Sequence, residues 1–261
     1  EKNYHHNKYD YSNGFPGKRF TIQTTEFIKT KNNEYKLYPI DSIDEKFKND
    51  ITNFNSKIYN ILKRKNINNL FPKSIITANN FSYQNTFSVL NQLKKQLTFR
   101  NIIPHIDSVT DDLPIINIFL TRTDYCQGGT SFWKCKKTGL HKISSLQDYY
   151  NYVNISHSSE IMNYYNKFID NKIFPYESND FYELIYSAEM KFNRAVIYNK
   201  RYLHSAYSKN VDNFNKNELS NRLVQTVWIN NIFTNSYYDL FINEFNDSLS
   251  SNLCDQMIFM Y

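Results

Sequence analysis

Eight consecutive residues, Leu113 to Leu120 ("LPIINIFL"), do most to limit what this chain can fold into. In a strand, alternate side chains point to opposite sides. Both sets here are apolar except for Asn117, so both sides of the strand need cover, as at the centre of a layered sheet. Other stretches have strand composition: "KRFTIQTTEFI" and "FSYQNTFSVL" before it, then "GGTSFW", "FYELIYSAEM", "RAVIY" and "RLVQTVWIN" after it. "KFNR" reads as a tight connection between two of them. The glycines Gly128 and Gly129 suit a bulge or a positive-φ turn at a strand entry.

Helical signals lie at the edges of this run. From Ser42 to Leu62, Ile43, Phe47, Ile51, Phe54, Ile58 and Ile61 recur at spacings of three and four, and Ser42 with Glu45 forms a capping box. "LKRKN" (Leu62 to Asn66) then reads as the cationic end of that helix. A polar, tyrosine-rich insertion between Gly139 and Asn179 reads as two helices. The last thirty residues read as largely helical at first. Helices followed by short strands with a helical insertion predict an α+β, mainly β fold: an antiparallel sandwich or barrel with packed helices. No repeat or long linker divides the 261 residues, which predicts a single domain. Its parts are 15–135 (first helices and strands), 139–179 (insertion), 180–230 (remaining strands) and 231–261 (C-terminal helical segment).

The bulk properties narrow the function classes. A net charge of +6, mixed in sign along the chain, has no dense Lys/Arg cluster interleaved with aromatics, so a nucleic-acid surface is not indicated. No apolar run has the length to span a bilayer. Cys126, Cys135 and Cys254 form an odd set without zinc spacing. A disulfide framework is not expected, and a reducing, intracellular (cytoplasmic) compartment is.

Chemistry concentrates at a few polar residues. In "PHIDS" (Pro104 to Ser108), His105 and Asp107 stand two apart, so an extended chain presents both to one point. The alternative is an ordinary polar strand end. His204 follows the strand "RAVIY" in "NKRYLHSAYS", where a surface loop histidine is the plain reading. Arg222 opens "RLVQTVWIN" and shares a face with Val224, Thr226 and Trp228, opposite Leu223, Gln225, Val227 and Ile229. A guanidinium heading a buried strand needs an anionic partner, either a local carboxylate or a ligand. Taken together, two histidines and a carboxylate form the facial ligand set of non-haem Fe(II) sites. By strand parity Asn117, Thr226 and Tyr83 are assigned to the pocket lining, while His5, His6, His141 and His157 sit in polar contexts and are expected at the surface.

The order His-x-Asp, His, Arg is where the chain resembles a known family. "HID", "INIFLTRTDYCQGGTSFW", "YLHSAYS" and "NRLVQTVWIN" follow the pattern of the 2-oxoglutarate/Fe(II)-dependent dioxygenase superfamily, in its prolyl-4-hydroxylase-like branch. "FPGKR", "GTSFWKCKKTG", "EMKFNRAVIYNKRYLHS" and "NRLVQ" bring it closer to a bacterial and viral subgroup of that branch. The resemblance covers about residues 15 to 230 and is most specific in the second half. It implies a double-stranded β-helix (jelly-roll, cupin-like) with packed helices. It assigns His105, Asp107 and His204 to iron and Arg222 to the far carboxylate of 2-oxoglutarate, with O2 as second co-substrate. Two departures stand out: the gap from Asp107 to His204 is long, owing to the insertion, and the basic residue is arginine rather than lysine and lies further past the last histidine.

The activity so implied is hydroxylation of an unactivated C–H bond in a peptidyl or small-molecule substrate. Retention of Asp107 favours it over halogenation, because related halogenases lack that carboxylate. Rival readings are a catalytically silent β-helix binding module and a nucleic-acid-directed oxygenase. The insertion is either a lid that selects substrate or a helical pair filling a sheet face.

Overall fold

The structure, a computed structural model, describes residues 18–23, 28–29, 35–36, 49–50, 53, 56–57, 81–90, 98–109, 114–122, 125, 127–171, 173–208, 222–231 and 243–245. Its elements are β1 (Lys18–Gln23), β2 (Ile28–Lys29), β3 (Tyr35–Lys36), β4 (Phe81–Leu90), α1 (Phe99–Ile102), β5 (Pro114–Phe119), β6 (Gly129–Cys135), α2 (Leu146–Ser156), α3 (Ser159–Asn171), β7 (Tyr182–Glu189), β8 (Ala195–Asn199), β9 (His204–Tyr207), β10 (Arg222–Asn231) and β11 (Asn243–Phe245). The fold is mixed and mostly β, with antiparallel sheets. Among the described residues no helix is long and apolar enough to cross a membrane.

The segment apolar on both sides becomes β5, and every one of its residues is buried. It lies inside the larger sheet, whose order is β1-β4-β10-β5-β8-β11. β10 runs antiparallel between β4 and β5, pairing Thr226 with Thr86 on one side and with Asn117 on the other. β5 in turn pairs with β8, Asn117 opposite Val196. The smaller sheet has the order β7-β6-β9, and beyond β9 an isolated bridge joins His105 to His204. β6 shifts register against β7 between Phe132 and Trp133, a bulge of the kind that turns side chains locally.

The alternation of β6 divides the apolar core. Phe132 packs between the sheets with Ile115, Phe119, Val196, Tyr198 and Val224. Trp133 and Cys135 point the other way, into a second cluster with Ile161, Tyr165 and Tyr182 beneath the two insertion helices. The insertion therefore covers the outer face of the smaller sheet. Its first helix is set by a reciprocal cap: the Asp148 N–H donates to Ser145 Oγ at 3.0 Å, and the Ser145 N–H donates to Asp148 Oδ2 at 3.0 Å.

Turn chemistry is local and explicit. Gly128 and Gly129 have φ of 98° and 152°, and a Cβ on either would stand 2.0 Å from a carbonyl oxygen, of Tyr207 and Ala188 respectively. Only glycine fits where two strands close on β6. In "KFNR", Asn193 takes the left-handed conformation at φ 61°, and the Arg194 N–H closes the turn on the Lys191 carbonyl at 3.0 Å. One expectation is corrected within the C-terminal segment: Asn243–Phe245 is a strand, not helix, and pairs with β8. β8 would otherwise expose a row of backbone donors and acceptors, which a partner strand satisfies whatever the local propensity. Most of Ser42 to Leu62 lies outside the described residues; Asn49, Asp50, Asn53, Ser56 and Lys57 are helical.

Candidate metal centre and buried arginine

His105 and His204 sit side by side because their backbones pair. The His105 N–H donates to the His204 carbonyl at 2.8 Å, and the His204 N–H to the His105 carbonyl at 2.9 Å. Their ring centroids are 4.7 Å apart. Asp107 is anchored by its own N–H, which donates to the Lys200 carbonyl at 2.8 Å.

Both rings are oriented in the same way. Nδ1 of His105 lies 3.1 Å from the carbonyl oxygen of Ile103, and Nδ1 of His204 lies 2.9 Å from that of Tyr202. A carbonyl only accepts, so each Nδ1 carries the hydrogen, and in the neutral ring Nε2 is left with the lone pair. Such a tie to a backbone carbonyl is how metal-binding histidines are commonly held. The ligand-type atoms of His105, Asp107 and His204 all lie within 4.8 Å of one another.

The charges also fit a cation. Asp107 Oδ2 is buried without a hydrogen-bond partner, and His204 Nε2 lies 3.3 Å from it, an ion pair only when that imidazole is protonated. Burial pushes the Asp107 carboxyl up, but the attraction of His204, His105 and Lys200 prevails and holds it below the ordinary range. Burial likewise pushes His204 down, and the Asp107 carboxylate more than offsets this and raises it. An orphaned carboxylate oxygen beside two pre-oriented imidazoles is a donor set suited to a divalent metal. These three residues can hold one.

Arg222 lies in the same interior. It is 8% exposed, its Nη2 donates to the Gly129 carbonyl at 3.2 Å, and its Nε has no partner. Among the described residues no carboxylate pairs with it. Burial pushes the guanidinium down to about 10. Next to it runs a polar chain: Thr226 Oγ1 donates to Asn117 Oδ1 at 2.9 Å, and Asn117 Nδ2 donates to Tyr198 Oη at 3.0 Å. Tyr198 stands between the two charged groups. Its ring is 4.8 Å from that of His204, burial pushes its hydroxyl up, and the charges of both Asp107 and Arg222 reach it.

The structure thus brings together His105, Asp107 and His204, and sets Arg222, Thr226 and Asn117 along one interior face. Tyr83 pairs in register with Ile229, which belongs to the opposite parity of β10 from Arg222 and Thr226, and its side chain lies outside the described residues. His141 and His157 are exposed as expected; His5 and His6 lie outside the described residues. Sequence reasoning missed Tyr198. The available signal was a tyrosine closing the apolar strand "RAVIY", since a buried hydroxyl requires a polar partner.

Fold and site together define a mostly β protein with an interior His/Asp/His cluster able to take a metal ion and a buried arginine beside it. A family model described as a family of unknown function, DUF6445, matches residues 56–229, two thirds of the chain. The chain belongs to that family. No curated protein and no solved structure matches it.

Proposed function

We propose that the chain is a non-haem Fe(II)- and 2-oxoglutarate-dependent oxygenase that hydroxylates an unactivated C–H bond, with the core a double-stranded β-helix. The observation that carries the reading is one interior holding both the His105/Asp107/His204 set and a buried arginine that, among the described residues, pairs with no carboxylate. The fold assignment is supported by nested pairings: β4 with β10, His105 with His204 at the start of β9, β5 with β8, and β6 with β7. First pairs with last and each following pair sits inside the one before, as when a long hairpin rolls into a jelly roll.

His105, Asp107 and His204 would hold the iron, the two histidines through Nε2 and the aspartate through its carboxylate. Bound Fe(II) supplies the redox chemistry that converts 2-oxoglutarate, O2 and R–H into succinate, CO2 and R–OH. Arg222 holds the distal carboxylate of 2-oxoglutarate, and the anion in turn gives the buried guanidinium its counter-charge. Tyr198 accepts from Asn117, which leaves its own hydrogen free to donate to the same co-substrate. Ile115, Phe119, Phe132 and Val224 keep water from the reacting centre.

Anaerobic addition of Fe(II) followed by 2-oxoglutarate tests this directly. A weak visible charge-transfer band in the wild type, absent from a His105→Ala, Asp107→Ala double variant, is the expected outcome. No band in the wild type overturns the enzyme reading. A band that survives in the double variant means the ligands are different residues.

A further inference from the structure

The segment that presents His105 is held from the far side of the smaller sheet. Tyr152, buried on α2, donates its hydroxyl hydrogen to the Pro104 carbonyl. Tyr182 Oη lies 3.2 Å from Tyr152 Oη. Tyr152 has a single hydrogen and gives it to the carbonyl, so Tyr182 is the donor between the two phenols. Burial raises both hydroxyls, which keeps both hydrogens in place. Two successive carbonyls ahead of His105 are therefore committed. That of Ile103 takes the imidazole Nδ1–H, and that of Pro104 takes the tyrosine.

The entry to the insertion treats His204 in a comparable way. The Leu203 N–H donates to the His141 carbonyl at 2.9 Å, and the Ile143 N–H to the Arg201 carbonyl at 3.0 Å. Lys142 and Tyr202 form a bridge between these bonds, and Tyr202 is the residue whose carbonyl orients His204. One inserted segment thus grips the chain immediately before each histidine, on the side of the sheet away from the metal-binding cluster.

We infer that the 139–179 insertion is a brace for the metal ligands, and that Tyr152 is a positioning residue that sets His105 through the Pro104 carbonyl. The inference rests on the reading of His105, Asp107 and His204 as a metal site. Without the Tyr152 hydroxyl, the buried Pro104 carbonyl has lost its donor, and the Pro104–His105 peptide plane is held from one side alone, by the His105 N–H bond to the His204 carbonyl. The ring then spends less time in the orientation that ligation needs.

The test is Mn(II) affinity of the full chain, measured by electron paramagnetic resonance of the free ion, alongside the thermal midpoint. Tyr152→Phe is expected to bind Mn(II) about tenfold more weakly than the wild type, at the lower end for loss of a group that supports a ligand. Tyr182→Phe is expected to weaken binding by less, in the same direction. Tyr165→Phe is the control, because its hydroxyl sits in the same buried cluster but outside the Tyr182–Tyr152–Pro104 hydrogen-bond chain, and it is expected to bind as the wild type does. Wild-type affinity in Tyr152→Phe overturns the inference, as does an equal loss in Tyr165→Phe, which would trace the effect to general packing. Should Tyr152→Phe fail to fold, Tyr182→Phe decides, and unchanged affinity there overturns it. A wild type that binds no Mn(II) brings down the metal site itself and this inference with it.

Discussion

Arg222 carries the sharpest consequence at the scale of a single residue. A base whose pKa is lowered on folding is protonated more readily in the unfolded chain, so stability rises with pH only above about 10. At neutral pH the cost of burying the charge is therefore fully present. Arg222→Met removes that charge while keeping most of the volume. Calorimetry of the ligand-free variant is expected to show a stability gain of about 1–4 kcal/mol, the range found when buried charges are replaced by apolar side chains. Equilibrium titration is expected to show 2-oxoglutarate binding weakened roughly 10- to 100-fold, as the loss of one charge-assisted contact implies. A destabilised variant would mean that the guanidinium already has its counter-charge. Gly129 is the opposite case, held for backbone reasons alone. A methyl group there meets the Ala188 carbonyl at 2.0 Å, so Gly129→Ala is expected to cost roughly 2–4 kcal/mol in denaturant unfolding.

At the scale of elements, the two insertion helices depend on their caps and on one buried face. Ser145→Ala removes the acceptor for the Asp148 N–H and is expected to cost about 1 kcal/mol. Hydrogen exchange would locate that loss in α2, and uniform loss across the larger sheet would contradict it. The helices were legible because "SSLQDYYNYVN" and "SSEIMNYYNKFIDNK" carry helix signals of their own. Their seat was not legible. α3 buries only Ile161 and Tyr165, and nothing in their spacing says that Trp133 and Cys135 of β6 lie beneath them. β11 makes the same point from the other direction. "NEF" lies in a stretch that reads as helix, yet it completes the edge of β8.

At the scale of the whole molecule, a metal that binds only the folded state must stabilise it by mass action. Under anaerobic conditions, Fe(II) at about 100 times its dissociation constant is expected to add about 2.7 kcal/mol to unfolding. The gain should vanish in the His105→Ala, Asp107→Ala double variant. An equal gain in that variant would place the ion elsewhere on the chain. The effect is global because the ligands come from segments almost a hundred residues apart, held together by backbone hydrogen bonds between His105 and His204 and from Asp107 to Lys200.

The sequence by itself determined the strands, their faces and the residue types available for chemistry. Strand composition is written directly in "LPIINIFL" and "RLVQTVWIN", and strand parity put Arg222 and Thr226 on one face of the latter before any sheet was assembled. It also picked out His105, Asp107 and His204 by residue type and order. Only the tertiary structure decided that these three meet, that Arg222 is buried with no carboxylate beside it among the described residues, that Tyr198 stands between them, and that Tyr152 reaches back to Pro104. Alternation and capping are properties of neighbouring residues and can be read along the chain. Pairing across tens of residues depends on which edges and faces remain unsatisfied once the local elements exist, and that is settled when the chain folds.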